Sequence, residues 1–441
     1  EVLRAVRKQV GPDFPILFRY SMEEFMPGGI DMEQAVRIAK VMADNGVDML
    51  NVSIGIGESV EYIIPPASVP DGWNADRAAA IKRAVGSRIP VAVVGRICNR
   101  KTAENIIASG KADLVDMGRA LLADPFLPAK LAEGRDDEIL TCIGCNEGCT
   151  GMLNECRPIS CALNPRTGYE DDYPMTQADA PKAVVVIGGG PAGCEAALTA
   201  AQRGHKVVLF EATSTLGGLA NIAALPPGKG VFATLGTYFS TMLPRAGVDV
   251  RLNTKADADA VRALHPDHVI VATGGTPIVP RFCADSPVVL AQDILTGAAQ
   301  AGSRVLVIGG GLVGSETAEF LADKGREVTV VELRDGIALD MEYKTRQMLM
   351  PKLAALGVVF LTETEVLEIG CNGNVKVKTP YLEKELSGFD TVVVALGYRP
   401  DAALCADLAA ADIDFVQVGD CKKVGKIING VWEAFQLAYR I

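Results

Sequence analysis

The chain has 441 residues, 49% of them hydrophobic, and carries 43 Lys plus Arg against 54 Asp plus Glu for a formal net charge of −11. That length exceeds one ordinary core and implies two or three domains, while the acidic balance argues against nucleic acid or an anionic membrane as the main partner. No apolar run approaches the ~20 residues of a membrane span, and with no secretory segment the 11 cysteines suit metal ligation in a reducing cytoplasm better than a disulfide framework.

Residues 1 to about 135 read as repeated strand–helix units. The apolar runs 15–21, 47–53, 90–95 and 112–118 are strands, and the helices follow at 31–45 (Asp31 as N-cap), 74–85, 101–109 and 124–133. Continuous apolar strands are expected where both faces of a parallel sheet are covered. Four such units make the C-terminal half of an eight-unit (β/α)8 barrel, and a start inside a helical pattern suggests that sequence precedes Glu1. An open four-stranded α/β domain is the alternative.

In such barrels the chemistry sits at the carboxyl ends of the strands. Those ends carry Arg19, then Asn51 and Ser53, then Gly95 with Arg96 and Gly118 with Arg119. Glycine followed by arginine suits a phosphate, because backbone N–H groups approach closely and a guanidinium pairs with the dianion. Arg19 can set a fixed positive charge against the electron-rich edge of a reduced flavin. The set favours FMN over a collection of ordinary surface ion pairs.

Next come Cys142, Cys145, Cys149 and Cys161, with two, three and eleven residues between them. With only 3 histidines in the chain a mixed Cys/His zinc set is unavailable, and the spacing is not that of a zinc ribbon. An all-thiolate set of this kind fits a [4Fe–4S] cluster; zinc, or unligated core cysteines, is the alternative. Cys156 reads as a spare thiol, although it could replace the fourth ligand. The acidic stretch from Glu170 to Pro181 reads as a connector, so that 136–180 forms a cluster segment and linker.

From Lys182 a strand, glycine turn, helix and second strand ending in an acid appear in KAVVVIGGGPAGCEAALTAAQRGHKVVLFEA. Gly188 makes the tight turn, Gly190 admits a pyrophosphate, Gly193 lets helix and strand approach, and Glu211 is placed for a ribose hydroxyl. About 120 residues later the pattern repeats with Gly309, Gly311, Gly314 and Glu332. Two such units predict an FAD domain over 181–300, completed by 388–441, and an NAD(P)H domain over 301–387. The runs 269–275 and 392–401 read as strands returning between them, and Gly419 and Asp420 suit the FAD ribityl chain. Glu332 favours NADH, since a carboxylate repels a 2′-phosphate, while Arg334 keeps NADPH open.

From FRYS through TCIGCNEGC and SCALNPRTG to both dinucleotide motifs and GDCKKVGKIING, the chain resembles the iron–sulfur flavoenzymes related to old yellow enzyme. These include 2,4-dienoyl-CoA reductase, trimethylamine dehydrogenase, 2-enoate reductase and the bile-acid-inducible NADH:flavin oxidoreductases. The resemblance covers essentially the whole sequence and matches the four cysteines to the family's cluster ligands. It implies a relay from NAD(P)H through FAD and the [4Fe–4S] cluster to FMN, ending in reduction of an activated C=C bond of a small unsaturated substrate. It also implies that the family's first half barrel, with its usual Tyr proton donor, is missing here.

Where the dienoyl-CoA reductase carries a catalytic His, this chain has Gly57, so Glu58 and Tyr62 are the nearest titratable candidates for the acid. His205, His265 and His268 all fall in the FAD domain, on a helix end and in a loop, where a structural role is expected. An amine dehydrogenase running electrons the other way, or a bare electron-transfer (diaphorase) module, are the rival functions. A homo-oligomer is compatible with all of them.

Overall fold

The computed structural model describes residues 1–281, 287–370 and 373–441, which leaves Cys283 and Cys371 outside the described residues. The chain divides into two compact units, Glu1–Asn146 and Glu147–Ile441, and the division falls inside the cysteine segment.

In the first unit, β1 (Leu17–Ser21), β2 (Met49–Ser53), β3 (Val91–Val94) and β4 (Leu114–Asp116) lie side by side in sequential order. Every pairing is parallel. Among the described residues this is an open four-stranded sheet. Its inner strands turn one apolar face into the core, with Leu50, Val52, Val91 and Val93 all buried. Its outer strands are not: Leu17 and Leu114 stand exposed at the two edges. The first long helix, Met32–Asp44, starts at a capping box in which Asp31 accepts from the Gln34 N–H and Gln34 bonds back. With the helix Ala75–Val85 it covers one face through Ala35, Ala39, Ala78, Ile81 and Val85, and each large aliphatic side chain so buried contributes about 1.5–3 kcal/mol.

The helix expected over 124–133 is replaced by two short ones, Gly118–Ala123 and Leu127–Ala132. Pro125 forces the preceding residue out of the helical region, and Asp124 is extended (φ −137°, ψ 96°). The Asp124 carboxylate then accepts from the N–H groups of Phe126 and Leu140 and pairs with Lys130 at 2.6 Å. Gly118 and Arg119 accordingly open a helix rather than close a strand.

The second unit contains two five-stranded parallel sheets. One runs in the order Val416–Gln417, His268–Val271, Ala183–Ile187, Lys206–Phe210, Asp249–Arg251. The other runs Val288–Leu290, Thr391–Val394, Arg304–Ile308, Glu327–Val331, Val359–Leu361. In both, the strand before a glycine turn is central and the strand after it is its neighbour, as the doubly wound arrangement requires. The expected returning strands end early and resume as a separate antiparallel pair, Gly275–Pro277 with Tyr398–Pro400. A three-stranded antiparallel sheet over 365–386 covers one face of the second sheet through Ile369, Val375 and Val377.

A buried ion pair, Lys229 Nζ to Glu316 Oε1 at 2.6 Å, ties the segment after the first motif to the helix of the second. The acidic connector is held as well. Tyr169 packs edge-on against Trp432, Tyr173 against Phe435 and Tyr439, and the Tyr439 hydroxyl donates to Pro174 O. His268 opens a strand rather than lying in a loop, and His205 Nδ1 accepts from the Lys182 N–H. No helix among the described residues is long and apolar enough to cross a membrane.

Candidate functional site

At the head of the first sheet Arg19, Asn51 and Asp116, on three strands, form one polar network. Arg19 Nη1 donates to Asn51 Oδ1 at 2.8 Å and Nη2 to Ser53 Oγ at 3.2 Å. Asn51 Nδ2 donates to Asp116 Oδ2 at 2.6 Å, and the same oxygen lies 3.4 Å from Arg19. The Arg19 side chain is 53% exposed, so the network orients a guanidinium that still faces outward.

The two glycine–arginine pairs differ. Gly95 has φ +153° and Arg96 φ +50°, a conformation that side-chain-bearing residues rarely adopt. This turn directs Arg96 inward, where its side chain is 4% exposed and Nη2 donates to Asp71 at 3.0 Å. Gly118 has open space in front of it, as a close backbone approach to a ligand needs. Arg119, by contrast, is committed to protein: Nη1 donates to Pro65 O at 2.9 Å and to Asn146 Oδ1 at 2.6 Å. Glu58 is exposed in a one-turn 3-10 segment. Tyr62 stacks on Phe25 with ring centroids 4.0 Å apart, and Arg77 lies over Phe25 and Trp73.

The cysteines fall two to each unit. In the first, a hydrogen bond from Cys98 lowers the Cys142 thiol against the effect of burial, helped by the positive charges of Arg119 and Arg96. A thiol shifted toward its thiolate form suits a metal ligand. In the second unit, Cys149 lies on a π-helical turn (Glu147–Gly151), and the chain at Gly148 touches the chain at Cys161. Ser160 donates both its N–H and its hydroxyl to Gly148 O, at 2.9 and 3.0 Å. The Leu163 N–H donates to Cys161 Sγ at 3.4 Å and Trp432 Nε1 to Cys161 O at 2.9 Å. An N–H aimed at sulfur fits a ligating thiolate. Cys156 is exposed, and none of the described cysteines is in a disulfide. Among the described residues no group of three or more His, Cys, Asp or Glu is drawn together as a metal set.

In the first dinucleotide motif the glycines shape the turn between strand and helix. Gly188 has φ +111°, and a β-carbon on Gly193 would stand 1.9 Å from Gly188 O. Gly190 has nothing within 4 Å, which leaves the turn open to a ligand. Gly419 and Asp420, over 200 residues away, are brought alongside: a β-carbon on Gly419 would meet Ala192 at 2.9 Å. Asp420 accepts from the Gly425 N–H at 3.0 Å, and burial pushes its carboxyl up.

In the second motif Gly309 has φ +100°, and a β-carbon on Gly314 would lie 1.8 Å from Gly309 O. Glu211 and Glu332 each fold back on their own glycine turns, accepting from Gly189 N at 2.7 Å and Gly310 N at 2.6 Å. Asp340 accepts from Leu312 N, at the start of the second helix, at 2.9 Å and sits beside Gly311.

Residues 1–138 match the NADH:flavin oxidoreductase / NADH oxidase family, and residues 182–420 match the pyridine nucleotide-disulphide oxidoreductase family. An NADH oxidase of Thermoanaerobacter brockii is 42% identical, over all of this chain and 69% of that protein. The chain belongs to these flavin-linked oxidoreductases. A cinnamate reductase of Clostridium sporogenes is 31% identical over the whole chain and 68% of its own length. A solved 2-naphthoyl-CoA reductase in complex with 2-naphthoyl-CoA superposes with a TM-score of 0.94 at 32% identity, covering all of this chain and 67% of that one.

Motif reading missed residues that the structure of this NAD(P)H-dependent oxidoreductase places around the arginines and Cys142. Asp71, Asp116 and Asn146 orient the arginines yet belong to no recognisable spacing. Only Asn146, next to Cys145, lies where a motif points. Cys98 carries no sequence signal at all.

The nicotinamide preference is open to a direct test. Glu332→Gln keeps an acceptor for Gly310 N but removes the negative charge. The ratio of kcat/KM for NADH over NADPH is expected to fall at least about tenfold, the equivalent of ~1.4 kcal/mol of relieved repulsion. Steady-state assays with both nucleotides check it.

Proposed function

We propose that this oxidoreductase takes electrons from NAD(P)H, by way of FAD and a [4Fe–4S] cluster, to FMN and reduces a C=C bond activated by a carbonyl or thioester. The observation that carries this reading is a second complete nucleotide fold, Gly309 to Glu332, in the same chain as a flavoenzyme-type sheet headed by an outward-facing arginine. A nicotinamide site built into the chain points to reduction rather than to oxidation of an amine. The similarity to proteins named as reductases of cinnamate and of 2-naphthoyl-CoA supports an unsaturated acyl substrate. Such a substrate needs its carbonyl to stabilise the enolate-like charge that develops.

Gly188, Gly190, Gly193 and Glu211, with Gly419 and Asp420, would hold FAD, and Gly309, Gly311, Gly314 and Glu332 the nicotinamide nucleotide. The backbone at Gly95–Arg96 and Gly118–Arg119 would cradle the FMN phosphate, and Arg19 would face the flavin ring. Cys142, Cys145, Cys149 and Cys161 would ligate the cluster. Bound together, these groups would supply hydride exchange at the flavins and single-electron transfer at the cluster. Either Glu58, which is exposed, or Tyr62 would hold the proton delivered to the substrate α-carbon.

The test is the cofactor content of the chain purified without oxygen, followed by turnover. About four irons, one FAD and one FMN per chain, the stoichiometry of one cubane and two flavins, are expected, with NADH oxidation dependent on a cinnamate-type enoate. Turnover of an amine with an artificial acceptor, and none with NADH and enoates, overturns the direction proposed here. NADH oxidation with dyes alone reduces the chain to an electron-input module.

A further inference from the structure

Arg96 holds more donors than its surroundings use. Its guanidinium is almost wholly buried, and only Nη2 is paired, with Asp71. Nε and Nη1 are buried with no hydrogen-bond partner. Buried donors on a charged group without acceptors cost several kcal/mol, so a site that keeps them is built around an anion.

The position of Nη1 points to where that anion would lie. A β-carbon on Gly144, the residue before Cys145, would stand 1.9 Å from Arg96 Nη1. Gly144 (φ +63°) thus leaves the guanidinium room to lie against the backbone between the two cysteines. The contact is fixed on both sides. Gly72 N donates to Gly95 O at 2.9 Å and Arg96 O at 3.3 Å, and Gly144 O accepts from Ala67 N at 3.1 Å. Asn99 Nδ2 donates to the second Asp71 oxygen at 2.8 Å and so holds Arg96's one partner in place. Arg119, the other arginine beside this loop, donates to neutral acceptors, one of them on Asn146, the residue after Cys145.

We propose that the Arg96 side chain serves the iron–sulfur end of the relay: it is the fixed positive charge beneath the Cys142–Cys145 loop, donates to the thiolate–cluster assembly there, and raises the cluster's reduction potential. This rests on the cluster reading proposed above. One-electron reduction makes an all-thiolate cluster more negative, so a desolvated cation and N–H donors beside its ligands favour the reduced form. Asp71 works in the opposite sense, by partly cancelling the charge. The backbone of Arg96 remains available to a phosphate, but the guanidinium does not turn toward one.

The experiment uses the full chain purified without oxygen, with iron and FMN assayed on each variant and the cluster followed by EPR during a redox titration. In Arg96→Gln the reduced-to-oxidised ratio of the cluster at a fixed ambient potential is expected to fall about tenfold, or ~59 mV for a one-electron couple, with FMN retained. Arg96→Lys is expected to fall between this variant and the parent, because it keeps the charge and loses the planar donors. Asp71→Asn tests the same idea without touching the arginine, and the ratio is expected to rise. Loss of FMN from Arg96→Gln with an unmoved cluster potential would make the guanidinium a phosphate ligand and overturn the proposal, as would an Asp71→Asn ratio that falls or stays put. A parent chain without iron would instead overturn the cluster reading itself.

Discussion

Gly193→Ala is expected to release FAD from the chain. The new methyl would be forced to within 1.9 Å of Gly188 O, and Ala272 Cβ would stand 3.1 Å away. The carbonyl belongs to the turn that ends the central strand, so neither side can yield without parting helix Pro191–Gln202 from its sheet. Overpacking of this kind costs about 1–3 kcal/mol and occasionally more, which at the upper end is on the order of a hundredfold in affinity. Flavin content per chain and the unfolding temperature should fall together.

Gly190→Ala separates the two causes. Its β-carbon would meet nothing in the protein within 4 Å, so the unfolding temperature of the FAD-free chain should hold while FAD binding weakens, because the added methyl faces the space a pyrophosphate would enter. Gly314→Ala carries the same clash, 1.8 Å to Gly309 O, into the second fold. There the expected loss is of NAD(P)H binding with FAD retained. Equal flavin loss from Gly193→Ala and Gly314→Ala would contradict the assignment of one cofactor to each motif.

Cys161→Ser is expected to abolish the iron content and Cys156→Ser to leave it intact. Cys161 is held at three points: its sulfur receives the Leu163 N–H, its carbonyl receives Trp432 Nε1, and its backbone lies against Gly148. Cys156 is exposed with φ +56°. A serine hydroxyl is harder than a thiolate and is not ionised at neutral pH, so it is a poor ligand for a cluster. Iron and acid-labile sulfide per chain, measured after purification without oxygen, are the readout. Iron loss from Cys156→Ser with retention in Cys161→Ser would exchange the two roles. Gly148→Ala should behave like Cys161→Ser, since its β-carbon would lie 2.8 Å from both Ala162 N and Cys161 C, and no side-chain rotation relieves a clash with backbone.

The dinucleotide motifs were legible in the sequence because their chemistry is local. A tight turn, a close backbone approach and a close helix–strand contact each demand glycine at a fixed offset, and the acid at the end of the next strand follows from strand and helix length. The strands of the first unit were legible for a similar reason, as buried parallel strands are short apolar runs. The short helix Gly118–Ala123 was not, because 112–118 reads as one strand running to Gly118, although Pro125 already marks the break after Asp124. The anchoring of the connector was not legible either, because its composition is polar, whereas edge-on contacts of Tyr173 with Phe435 and Tyr439 of the last helix hold it.

By itself, then, the sequence determined which residue types stand close together along the chain: four thiols within twenty residues, two glycine turns each with a following acid, and arginines at strand ends. What it could not determine is where each charged group points, because that is set by contacts between segments far apart in the chain. Arg19 and Arg96 are indistinguishable as strand-end arginines. The tertiary structure leaves the first facing outward from a network with Asn51 and Asp116, and buries the second against Gly144 with Asp71 as its one partner. Gly419 reaches Ala192 by the same logic, across more than 200 residues. Backbone requirements are encoded within a few residues of where they act, whereas the electrostatic surroundings of a side chain exist only once the chain has folded.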